Sequence, residues 1–148
     1  MAEQNSRVEP SSIAGYQVDA GRWLEACFGG MPAQLVQRAS DPEVQTVGRS
    51  RARRFLEEAL EMAQAFGCDE RDALDLVGYV FSRPVGSPGL EAGAAMLTLS
   101  AACAVKGIDL EAEARRELSR VSSPEMIARI RAKTARADPN SALPGVVK

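Results

Sequence analysis

Residues 87–107 read SPGLEAGAAMLTLSAACAVKG, and this stretch decides the fold class. Ser87-Pro88 is a helix cap followed by proline at the first helical position, and Gly107 is a stop signal. Between them, every side of the helix is apolar or small from Leu90 to Val105, which predicts an element central to a helical bundle. Downstream, Asp109 caps a helix to about Val121, and Ser123-Pro124 opens a last one to about Arg136. Upstream, Asp69 caps a helix through about Phe81, which Arg83-Pro84-Val85-Gly86 breaks. Asp41-Pro42 starts a long helix that Gly67 stops after Phe66. A first helix covers about 16–28, and a short segment at about 32–39 follows it. With no β-branched alternation anywhere, the chain reads as all-α, and its short connections predict an antiparallel four- to five-helix bundle.

The 148 residues suffice for one domain, with residues 1–14 an N-terminal arm, 15–137 the helical domain and 138–148 a tail. A 45% apolar and 26% charged composition is that of a soluble globular chain. The net charge of −2 argues against a duplex-DNA binder that neutralises many phosphates, and no nucleic-acid partner is expected. Histidine is absent, which removes serine–histidine and cysteine–histidine nucleophile pairs, so any catalysis falls to carboxylates. Cys27, Cys68 and Cys103 are widely spaced with no CxxC pair, and read as reduced thiols of a cytoplasmic protein. The polar N-terminus holds no signal-peptide run, and no membrane association is expected.

The carboxylates stand out on two helices. In RRFLEEALEMAQAFG (residues 53–67), Glu58 and Glu61 lie three residues apart on one face and are able to share a cation, with Glu57 beside them. Phe55, Leu56, Ala59, Leu60, Met62, Ala63 and Phe66 take the opposite arc, which equally suits a plain solvated acidic face. Glu91 is the sole acid of the apolar helix. It either enjoys the positive end of the helix dipole or needs solvent, a base or a metal to offset burial.

RFLEEALEMAQAFG (54–67), followed by GLEAGAAMLTLSAACAVKGIDL (89–110), resembles the EExxE and ExxD halves of the MazG-like all-α nucleoside triphosphate pyrophosphohydrolases. WLEACFG (23–29), YVFSRPVG (79–86) and RIRAKTARADPNSALPG (129–145) resemble a phage and proteobacterial subgroup of that family. The resemblance implies magnesium, or manganese in its place, held by carboxylates, and a nucleoside triphosphate cleaved between the α and β phosphorus atoms to nucleoside monophosphate and pyrophosphate. It matches Glu58 and Glu61 to the ExxE pair, Glu57 to the preceding acid and Glu91 to the Glu of ExxD, and it implies a homodimer or homotetramer. The Asp position of ExxD is Ala94, which supplies no ligand. The resembling subgroup often carries glycine there. Magnesium commonly takes only one or two carboxylates beside water and phosphate oxygens, so three glutamates are able to suffice. Asp72 or Asp75 would be the acid to complete the set. The rival expectation is a catalytically impaired nucleotide-binding or helical interaction module.

Arg129, Arg131, Lys133 and Arg136 make the last helix basic enough to meet a triphosphate, or merely to favour the negative end of the helix dipole. Arg53 and Arg54 precede the glutamates by one turn. Arg54 either meets substrate or pairs with Glu57 and Glu58 along the helix. Trp23, the only tryptophan, is a platform for a base or a piece of core or subunit interface.

Overall fold

The computed structural model describes residues 12–29 and 42–135, with side chains for 12–29 and 48–133. The predicted segment at 32–39, Arg136 and the tail 138–148 lie outside the described residues. Within them the chain is wholly helical: α1 (Ile13–Phe28), α2 (Pro42–Ala65), α3 (Glu70–Phe81), α4 (Pro88–Lys106), α5 (Leu110–Val121) and α6 (Pro124–Ala135).

The cap residues set these boundaries. Ser12, Asp69, Ser87 and Asp109 each accept a hydrogen bond from a backbone N–H of the first turn of α1, α3, α4 and α5. At α3 this is a full capping box, because Asp72 accepts in return from the Asp69 N–H. Gly107 ends α4 with φ 67° and ψ 27°, the left-handed region that a side chain resists, and its N–H closes onto Ala104 and Cys103 carbonyls. Helix α1 begins at Ile13, two residues inside the segment predicted as an arm, because Ser12 supplies a cap that the composition of that segment hides.

Packing among the described residues is concentrated in α1, α5 and α6. Trp23 is half-buried there. Its indole N–H donates to the Val121 carbonyl at 3.2 Å, and its ring meets Phe28 edge-on with centroids 6.1 Å apart. From α6, Arg131 donates through Nε to the Ala26 carbonyl at 2.9 Å, placing a cation on the open C-terminal end of α1. Cys27 is buried beneath this junction. Burial pushes its thiol above the ordinary range, partly offset by the charges of Arg131 and Arg51.

The remaining helices are differently disposed. The sequence places α4 at the centre of a bundle, but in the single chain it lies at the surface, with Cys103 its one buried residue. Leu97 is 71% exposed and Val105 85%. On α2 and α3, Phe55, Leu56, Leu74, Val77 and Phe81 are exposed as well. A helix's apolar period reveals that it needs covering, and it does not reveal whether the cover comes from the same chain. By length and composition α4 is also able to cross a membrane, with a mean hydropathy of 1.3.

Two outcomes check this account. Replacing Asp109 by alanine removes the α5 cap and lowers stability by about 1 kcal/mol in urea titrations. In iodoacetamide labelling at pH 8 followed by mass spectrometry, Cys27 stays unmodified in the native protein and is modified once urea opens the α1–α6 junction.

Candidate acidic site

Glu57, Glu58 and Glu61 fall on consecutive turns of α2 because i, i+3 and i+4 positions are neighbours on a helix. Arg54, one turn earlier, joins two of them. Its Nη1 stands 2.7 Å from Glu57 Oε2 and its Nη2 pairs with Glu58 Oε1. The Glu57 oxygen is shielded from solvent and meets Arg54 off the hydrogen-bond line, so this short contact is ionic in character. Burial works against the Arg54 charge. The close contact with Glu57 and the charges of Glu58, Glu57 and Glu61 outweigh it, and the Arg54 pKa is raised. Of the two readings open for Arg54, the structure shows the intrahelical pair, worth a few tenths of a kcal/mol at such exposure.

Glu61 is exposed and is among the residues lining a groove between α2 and α3. The groove has a volume of ≈ 790 Å³ and is lined chiefly by apolar side chains, among them Leu56, Leu60, Leu76, Val77 and Val80. Glu91 stands exposed in the first turn of α4, where the helix dipole favours its charge. Its carboxylate folds back over the Gly86 backbone, in the space that a side chain at position 86 would fill. Ala94 offers only its carbonyl, which accepts from the Thr98 hydroxyl at 3.0 Å.

Among the described residues, no three His, Cys, Asp or Glu side chains stand close enough to hold one metal ion. Glu58 and Glu61 share a face, and Glu91 does not join them within one chain; this arrangement does not fit a magnesium site. Asp72 is committed elsewhere, as the return half of the α3 capping box. Asp75 is exposed on α3.

The proposed phosphate contacts divide in the same way. Arg131 is engaged with the Ala26 carbonyl, Arg129 lies along α6 with Nη1 3.8 Å from Met126 Sδ, and Lys133 is exposed on the same helix. Trp23 belongs to the α1–α5–α6 packing. A residue that the sequence did not single out is Arg51. It lies over the Phe28 ring at 4.5 Å from the centroid and links α2 to the end of α1. Burial and the neighbouring Arg54 charge lower its pKa, against the opposing effect of Cys27. Its signal in the sequence was only one arginine among several in 49–54.

Compared with known protein families, curated proteins and solved structures, the chain matches none.

Replacing Arg131 by methionine separates its two roles. With Arg131 acting as the cap of α1, the variant loses about 1 kcal/mol of stability in urea, and nucleotide affinity measured by calorimetry is unchanged.

Proposed function

We propose that the chain is a nucleoside triphosphate pyrophosphohydrolase of the MazG-like kind, dependent on magnesium or manganese, working as a homodimer or homotetramer with its helices assembled into a bundle. The observation that carries this reading is the acidic turn of α2. Glu57, Glu58 and Glu61 follow one another within five residues, Arg54 pairs with the first two, and Glu61 is among the residues lining the groove between α2 and α3. The order and spacing of this motif and of Glu91 are those of the resembling family. The absence of histidine leaves carboxylates as the available groups for hydrolytic work on a phosphoanhydride.

Each glutamate has a part in this reading. Glu58 and Glu61 supply the carboxylate pair, Glu57 is the adjoining acid whose charge Arg54 balances, and Glu91 is the acid of the second motif. The basic residues Arg129 and Lys133 on α6 are the remaining candidates for triphosphate oxygens. Electrostatics favour them only for an anionic substrate, which matches the class proposed.

Ala94 supports a second reading, a nucleotide-binding or interaction module without turnover, since the position is exposed and carries no acid. The two separate in one assay. Incubation with each (d)NTP and magnesium releases pyrophosphate, and Glu58→Gln or Glu61→Gln lowers the rate at least about 100-fold. Saturable magnesium-dependent nucleotide binding in calorimetry without pyrophosphate selects the module instead.

A further inference from the structure

One cation at the junction of α1 and α2 is answered by no anion. Arg51 reaches from α2 to the end of α1, where its guanidinium carbon lies 4.5 Å from the Phe28 ring centroid. The side chain is half-buried, yet among the described residues it forms no hydrogen bond and no ion pair. Glu57 and Glu58, the nearest acids along α2, are held by Arg54. A ring face attracts a cation but leaves the in-plane N–H donors without acceptors. Burial and the like charge of Arg54 push the Arg51 pKa down.

A second donor stands beside it. The hydroxyl of Ser50, the preceding residue on α2, is shielded from solvent and has no hydrogen-bond partner among the described residues. A shielded polar group without a partner costs stability, and a guanidinium and a hydroxyl left so at consecutive positions share one explanation: both are set to donate to the same acceptor. The neighbouring cations are already committed. Arg54 pairs with two glutamates, and Arg131 donates to the Ala26 carbonyl at 2.9 Å, on the negative end of the α1 dipole.

The donors decide the class of ligand. A guanidinium whose face lies on a ring presents its edge, a planar fork that matches two oxygens of one anion. The Ser50 hydroxyl supplies one donor more. A carboxylate has only two oxygens, whereas a terminal phosphoryl group has three acceptor oxygens and nearly two negative charges. Arg51 also precedes Glu58 by two turns on one stripe of α2, about 10 Å along the helix, and so lies on the side of α2 that bears the acidic turn.

We propose that Arg51 and Ser50 form a binding site for a phosphoryl group, with the Arg51 fork on two of its oxygens and the Ser50 hydroxyl on the third. The site needs neither a metal ion nor a second chain. Where the phosphoryl group ends a nucleoside triphosphate, the assignment rests on the nucleotide reading above and makes Arg51 the residue that positions the triphosphate on α2. Phosphoryl binding itself does not rest on that reading. The competing role for Arg51 is purely structural, a tie of α2 to α1 through Phe28.

The test uses the full chain in excess EDTA, which removes any bridging metal ion, with inorganic tripolyphosphate as the probe. Calorimetry gives saturable binding of one tripolyphosphate per chain. Arg51→Met keeps an unbranched side chain on Phe28 and weakens this binding at least about 10-fold, and Ser50→Ala weakens it at least about 3-fold. Arg49→Met removes the same charge from an exposed position of α2 and changes the affinity less than about 2-fold. The unaltered protein gives an independent reading that no folding defect disturbs. Its phenylglyoxal labelling, followed by mass spectrometry, slows at least about 5-fold at Arg51 when tripolyphosphate is bound and is unchanged at Arg49. ATP that binds in EDTA with the same dependence on Arg51 identifies a nucleotide as the source of the phosphoryl group, and binding of tripolyphosphate alone identifies a free oligophosphate. The proposal is overturned by a wild-type protein that binds no tripolyphosphate, by equal losses in Arg51→Met and Arg49→Met, by unprotected Arg51, or by succinate binding as tightly as tripolyphosphate. Pyrophosphate release from nucleotides with no tripolyphosphate binding removes the site and leaves the pyrophosphohydrolase reading. Tripolyphosphate binding with no release from any nucleotide keeps the site and removes that reading.

Discussion

The constraint on which the rest depends is the cover required by a helix that is apolar around its whole circumference. Ordering a residue costs about 1–2 kcal/mol of backbone entropy, and α2, α3 and α4 together order more than fifty residues. Burial is what offsets such a cost. The apolar side chains left open on α2, α3 and α4, among them Phe55, Leu74, Phe81 and Leu97, forgo that burial in the single chain. Helix caps contribute about 1 kcal/mol each and surface ion pairs less, so neither class replaces that burial.

The α1–α5–α6 junction shows what local closure looks like. At the α1–α5–α6 junction, Trp23 spends its N–H on Val121, Arg131 caps α1, and Cys27 is sealed beneath them. The Trp23 indole and the Arg131 guanidinium both find backbone carbonyl partners there. Arg51 links α2 to this junction through the Phe28 ring, less than one turn before Arg54 and the glutamates.

Charge on that turn is balanced locally. Three glutamates within five residues repel, and Arg54 relieves that repulsion by pairing with Glu57 and Glu58 and by its charge near Glu61. This arrangement is that of an acidic helix face open to solvent. Glu91 is turned back over Gly86 in its own chain.

The helices were legible in the sequence because their signals are local. Ser87-Pro88, Asp69, Asp109 and the glycines at 67 and 107 act over three or four residues, and the observed ends match them to within a residue or two. The two roles of Asp72, ligand or cap, were decided by hydrogen-bond geometry at the start of α3. The role of Arg131 was likewise invisible, since its partner, the Ala26 carbonyl, is 105 residues away. What the sequence determined by itself was thus the all-α class, the helix boundaries and the acidic face of α2. Only the tertiary structure decided that α4 stands uncovered in its own chain and that Glu91 lies apart from Glu58 and Glu61. The reason is physical: a hydrophobic period specifies that a face is to be buried, and burial carries no direction that would name the surface to do it.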